Sequence, residues 1–316
     1  MTKTKTKTNT TASNTGIRGG ACVLIEQKIG RDLLHFGCRH HVMEIVLAAS
    51  FKACMGVSSG PDVLLVKKFQ AGWEFIDRGT CESGMTDDVV RPRISAESER
   101  IIEFATRVRF RAPGPLHHAR WMSKAIYSLK VWLFRCQFKL TAKEEKGLRE
   151  MCCFVVLVFL EWWFTALSAV KAPRRDLNLM KTLLNYSTTN YAISTATSEK
   201  LQRHLWYLSE ELVGLTLFDE DVSLAMMRRM LESMKRQVED EDEEPLKRCI
   251  QDLATLTVSQ LDSFASPKTV RLFEKLHLAT DFLEADPSSW GTNRTFRAAQ
   301  DQLKTLKVVN EHAERG

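Results

Sequence analysis

The chain has 316 residues, 44% hydrophobic and 27% charged, which is long and apolar enough to bury a core and excludes wholesale disorder. Eight prolines and fifteen glycines are few for this length and argue against a many-turned β architecture. The net charge of +6 is unevenly spread, with eleven Lys/Arg against two acids from Arg107 to Arg149 and an acidic block, EDEDEE, from Glu239 to Glu244.

In chain order, residues 1–20 are rich in Thr, Lys, Asn and Gly and are expected to form a disordered tail. Their run MTKTKTKTNTTASNTG has no apolar core that could serve as a secretory signal. Residues 21–238 are expected to form a helical domain. ACVLIEQKI places apolar residues at 21, 24, 25 and 29, which predicts a short helix stopped by Gly30. LLHFGC reads as a brief buried strand, followed by a helix from about His40 to Lys52. Asp62 is placed to cap a helix over VLLVKKFQAGWEFID. Residues 77–95 are polar and broken by Gly79, Gly84 and Pro92, and SAESERIIEFATRV then predicts a helix capped by Ser95 or Ser98. ARWMSKAIYSLKVWLFRCQF has the period of a long amphipathic helix, and TAKEEKG reads as a break after it.

MCCFVVLVFLEWWFTALSAV, Met151 to Val170, is the most apolar run and carries one charge, Glu161. Its length satisfies a membrane span, whereas its amphipathic neighbours, which need a shared core, favour a buried central helix. APRRDLNLMKTLLNY, ATSEKLQRHLWYLSEELVGLTLF and SLAMMRRMLESMKRQV continue the helical pattern. The acidic block and Pro245 predict a linker over 239–245, with two or three further helices in 246–316, the last from about Arg294 to Glu314. The expected class is therefore mainly α, with at most one or two short strands near residues 34–39.

LHFGCRHHVMEIVL, Leu34 to Leu47, concentrates chemical side chains. Cys38 and His41 share a helical face, and His40 with Glu44 forms an i,i+4 pair. A closed zinc site needs a second spaced ligand pair, and the adjacent His117 and His118 do not supply one. The alternative is a helix with Val42, Ile45, Val46 and Ala49 in a core and His40 paired with Glu44 on the surface. A Cys38/His41 nucleophilic dyad lacks a visible orienting group, and no GxSxG, Walker loop, GxGxxG or HExxH occurs. The eight cysteines form no CxxC pair and read as reduced thiols. The basic stretch is interleaved with Trp121, Tyr127, Trp132 and Phe134, a pattern that fits either a nucleic-acid surface or a helix with a solvated cationic face.

NTTASNTG, GACVLIEQKIGRDLLHFGCRHHVMEIVL, SSGPDVLLVKKFQAGW, LHHARWMSKAIYSLKVWLFR, RHLWYLSEELVGLTLFD and LKVVNEHAERG follow one another in this order. From about Thr10 onward the chain resembles a group of transposon-derived proteins found in many copies in arthropod and cnidarian genomes. These are similar to hAT-type transposases, whose RNase H-like catalytic domain is interrupted by a helical insertion. The resemblance implies that Cys38 and His41 are the CxxH motif leading into that insertion, and that the strands are the remnant of the RNase H-like core. Such cores hold two magnesium or manganese ions with two aspartates and a glutamate. Where the group carries an aspartate ahead of TTASNTG, this chain has Asn9, and Glu314 in NEHAERG is the position matching the third acid. The resemblance also implies a chain cut at both ends, from just after the second acid to the third.

The function expected from these residues is a catalytically inactive, transposase-derived protein, nuclear or cytoplasmic, with no bound cofactor. DNA is its expected partner, held by Arg107, Arg109, Arg111, Arg120, Lys124, Lys130 and Arg135 within 107–149. Protein binding is the other residual activity the reading allows. Two alternatives stand beside it: a single-pass membrane protein spanning 151–170, and a metal-dependent nuclease using Glu210, Glu211, Asp219 or Glu220.

Overall fold

A computed structural model describes residues 6–8, 20–56, 64–81, 123–236, 246 and 251–309. The described chain is mainly helical, as its composition and period require. It divides into two compact units, each built from discontinuous segments.

The first unit comprises Met1–Val42, Ala166–Leu184 and Leu201–Val309. Strand β1 (Thr6–Thr8) pairs in parallel with β2 (His35–Gly37), with Lys7 opposite Phe36. Helix α1 (Ala21–Ile29) ends as its sequence predicts, because Gly30 adopts the left-handed conformation (φ 72°) and donates its N–H to the Glu26 carbonyl. The Glu26 side chain then accepts from the Leu33 amide at 2.8 Å and lies 3.0 Å from His35 Nε2, which fixes the path into β2. Gly37 is required by close approach, since a Cβ there would lie 2.2 Å from the Trp206 ring.

Helix α2 (Arg39–Met55) follows β2 at once, opened by the Cys38 carbonyl accepting from the Val42 amide. Further on in this unit come α7 (Ala172–Asn185), α9 (Leu224–Lys235), α10 (Leu253–Val258), α11 (Arg271–Leu276) and α12 (Arg294–Lys304). An aromatic cluster holds the C-terminal part together. Phe218 stacks on Phe296 at 5.1 Å, and Phe282 meets Trp290 edge-to-face at 5.1 Å. Such pairs add about 0.5–1.5 kcal/mol each beyond their burial.

The second unit comprises Met43–Thr165, Asn185–Lys200 and Asn310–Gly316. It contains the rest of α2, then α3 (Leu64–Gly72), α4 (Ser123–Leu133), α5 (Ala142–Phe154), α6 (Leu160–Phe164) and α8 (Tyr191–Leu201). Leu65, Phe69, Trp73, Ile76, Val131, Phe134, Leu148 and Cys152 form its core. The Gln137 side chain binds this unit's irregular part, accepting from the Asp77 amide and donating to the Asp77 and Thr80 carbonyls.

Several elements differ from the sequence reading. TAKEEKG is a helix start, because Thr141 and Glu144 form a reciprocal capping box. The apolar run continues α5 through a π-helical turn, Val155–Phe159, and its helix ends with α6 at Phe164. Met151, Phe154, Val155, Val158 and Phe159 are buried, and Glu161 is exposed. Among the described residues no helix is long and apolar enough to cross a membrane.

Residues 202–218 leave the α-helical path for three 3-10 segments, Gln202–His204, Trp206–Leu208 and Leu212–Phe218. Every residue of the last is buried, so there is no solvated face for a 3.6-residue period to mark. The final helix stops at Lys304, not near Glu314, since the chain then pairs Lys307 with Ser168 in an isolated antiparallel bridge. The expected helix over SAESERIIEFATRV and the capping Asp62 lie outside the described residues.

Candidate functional site

Within the first unit, the start of α2 builds a buried polar cluster. Arg39 is buried, and its guanidinium spans two partners that are distant in sequence. Its Nε and Nη2 donate to Asp176 Oδ1 of α7 at 3.1 and 2.6 Å, and its Nη1 donates to the Ala166 carbonyl at 2.9 Å. The Arg39 amide donates to the Val308 carbonyl at 2.8 Å. Beside it, the buried Tyr207 hydroxyl donates to the Gly37 carbonyl at 2.7 Å. Burial pushes the Asp176 carboxyl up, and the Arg39 charge offsets this only in part. Burial likewise holds the Tyr207 phenol far above its ordinary range, so it acts as a fixed hydrogen-bond donor.

Cys38 and His41 frame this clasp without closing a metal site. Cys38 is buried at the helix start, and His41 is half-buried on its first turn. His40 is also buried rather than sitting on the surface, as the i,i+4 pairing with Glu44 had suggested. Val42, Val46 and Ala49 enter the core as expected, while Ile45 is half-buried. Among the described residues no three His, Cys, Asp or Glu side chains converge as a metal cluster. The clasp is thus a closed, charge-compensated joint that fixes the start of α2 against α7 and the 206–208 turn.

The four alternative acids occupy positions matched by cations. Glu210 lies 3.3 Å from Lys268 Nζ, and Glu211 accepts from Lys275 Nζ at 2.9 and 3.0 Å. Asp219, fully buried, accepts from Arg174 Nε at 2.6 Å. Glu220 meets Lys171 Nζ at 2.6 Å, and Asp221 joins both Lys171 and Arg174. Lys171 in turn holds the Glu220 and Asp221 carboxyls below the usual range. Each of these acids has its charge neutralised within the unit, which is the electrostatics of a structural network.

The basic stretch resolves into an inner and an outer face. Tyr127, Val131 and Phe134 recur at helical spacing and are buried, and Trp132 packs against the same core. Among the described residues, Tyr127 and Phe134 therefore face inward, and Trp132 is half-buried against the same core. Of the predicted contacts, Arg135 lies over the Trp132 ring, 4.3 Å from its centroid, and donates to the Trp132 carbonyl. Lys130 is half-buried, which lowers its pKa, and Lys124 is also half-buried. Outward positions fall later in the chain, at Lys139, Lys143, Lys146 and Arg149.

Of the seven expected DNA-contact residues, Lys124, Lys130 and Arg135 are described and are half-buried, a helical phase that a count of charges alone does not give. The phase was readable from the Thr141-x-x-Glu144 cap, which starts α5 and turns Gly147 and Leu148 inward. No family model, curated protein or solved structure matches the chain. Asn9, Glu314, Arg107, Arg109, Arg111, Arg120 and Trp121 lie outside the described residues.

Proposed function

We propose that this chain is a non-catalytic, transposase-derived protein that binds the phosphate backbone of duplex DNA through its basic 107–149 segment. The observation that carries the reading is the outer face of α5 and the residues before it. There Lys139, Lys143 and Lys146 are exposed, while Tyr127, Trp132 and Phe134, among the described residues, pack into or against the core. Exposed cations without exposed rings favour phosphate contact over base stacking. The absence of catalysis is supported by the neutralised acids at 210, 211, 219 and 220. It is supported as well by the asparagine at position 9, where the resembling proteins carry an aspartate.

Fluorescence anisotropy with a random duplex across a salt series tests the proposal. Three phosphate contacts from the described lysines give a slope of log K against log salt of roughly −2.7, at about −0.9 per contact. No binding at low salt would refute it, and magnesium-dependent nicking by the purified chain would refute the non-catalytic part.

A further inference from the structure

Helix α3 shares the core of the second unit with α5 and turns a cationic face outward. Leu65 and Phe69 of α3 are buried in one cluster with Leu148 and Cys152 of α5. With those side chains inward, Leu64, Lys67, Lys68 and Ala71 are exposed. Their i, i+3, i+4, i+7 spacing is that of a single helical face. Two of the four positions are lysines and none is an acid.

An ion pair joins this face to α5. Lys68 Nζ lies 3.8 Å from Glu144 Oε1 in the first turn of α5. Lys143 precedes Glu144 directly, and both Lys143 and Lys146 are exposed. One side-chain bridge therefore spans the gap between a lysine pair on α3 and a lysine pair on α5. The major groove of a duplex is about 12 Å wide, so a single duplex presents phosphates to both pairs.

We propose that α3 and α5 form a two-row phosphate-binding surface for duplex DNA, in which Lys67 and Lys68 are contact residues and the Glu144 carboxylate limits affinity. This surface presupposes that duplex DNA binds at α5, and it extends that interface to a second helix. Lys67 and Lys68 with Lys139, Lys143 and Lys146 outnumber the two acids on the same side, Glu144 and the exposed Glu145. The surface is thus cationic overall, with Glu144 the acid that a lysine of the facing helix must offset.

The fold needs the Glu144 oxygen but not its charge. Glu144 Oε2 accepts from the Thr141 amide and from the Thr141 hydroxyl, each at 2.8 Å. A glutamine carbonyl closes a capping box equally well. The Thr141 amide first, then its hydroxyl and Lys68, hold the Glu144 carboxyl below the usual range, against the opposing pull of burial. The group is therefore ionised at neutral pH, where it repels an incoming phosphate.

The test measures the affinity of the full chain for a random duplex from about 50 to about 200 mM salt. It compares the wild type with Lys67→Gln/Lys68→Gln and with Glu144→Gln. Losing two phosphate contacts is expected to flatten the slope of log K against log salt by roughly 1.8, at about 0.9 per contact. Across that range the wild type then loses roughly twelvefold more affinity than the double variant. Glu144→Gln is expected to bind roughly threefold tighter at low salt, the effect of one nearby charge in water. Melting temperatures should hold in both, because Lys67 and Lys68 are exposed and glutamine keeps the cap. An unchanged slope in Lys67→Gln/Lys68→Gln, beside a wild type that binds, overturns the α3 surface and leaves DNA binding at α5 standing. Glu144→Gln binding no tighter than the wild type overturns the limiting role of Glu144. A wild type without duplex affinity at low salt refutes the α5 interface itself, and the α3 surface with it.

Discussion

Arg39 and Asp176 are 137 positions apart, and each satisfies the other in a setting that water barely reaches. A buried pair contributes little net stability over an apolar replacement, but leaving one partner alone is costly. Asp176→Ala strands the Arg39 guanidinium and is expected to destabilise the fold by about 3–5 kcal/mol, read from urea unfolding. Replacing both, with Arg39→Met and Asp176→Leu, should recover most of that loss. If the double variant is no better than the single one, the clasp contributes more than charge compensation.

An exposed pair behaves differently with pH. Asp286 is held far below the usual carboxylate range, first by Arg228, which donates at 2.7 and 2.9 Å, and then by Ser288. Because its folded pKa is depressed, the stability it adds is present above the ordinary carboxylate pKa of about 4 and is lost as pH falls through the folded value. Asp286→Asn should flatten this part of the acid limb in melting temperatures measured between pH 2 and pH 6. An unchanged limb would place the acid sensitivity elsewhere.

At the scale of elements, glycines mark where helices and strands come closest. Gly147→Ala forces a methyl to within 2.5 Å of the Cys54 backbone carbonyl, which cannot swing away as a side chain could. The crossing of α2 and α5 must then open, with an expected loss of about 1–3 kcal/mol, typical of overpacking. Thr141→Ala removes one half of the capping box at the other end of the same helix and should cost about 1 kcal/mol. Amide exchange in the first turn of α5 separates the two, since only the cap variant should speed it locally.

The helices that could be read from the sequence are those with one apolar face and a local stop or start. Gly30 ends α1 and Ser223 caps α9, and both signals act within a few residues. The 202–218 stretch was illegible for the opposite reason. Its path is set by contacts from far away: Trp206 against Gly37, Tyr207 bonded to Gly37, and Gly214 against Leu272 and Thr269. The candidate site divides in the same way. Cys38 and His41 stood out as residue types, but the carboxylate that pairs with Arg39 lies on α7, where a lone aspartate in RRDLNL carries no local mark.

For the whole molecule, net charge and its placement decide what the chain can hold. A surplus of +6 gives a weak general attraction to polyanions, and the proposed interface places it at the exposed cations around α5. The inward turn of Tyr127 and Phe134 distinguishes two ways of binding nucleic acid. A stacking platform would favour single strands, whose bases are free, and would persist at higher salt. A lattice of lysines follows phosphate density instead, which is greater on duplex. The proposed interface therefore predicts no preference for single-stranded over double-stranded DNA of equal length. Lys143→Glu with Lys146→Glu should lower the salt slope by roughly 2 and weaken all duplex sequences alike. Because both side chains are exposed, the melting temperature should hardly move, which separates lost binding from lost folding. Unchanged affinity in this double variant would move the interface away from α5.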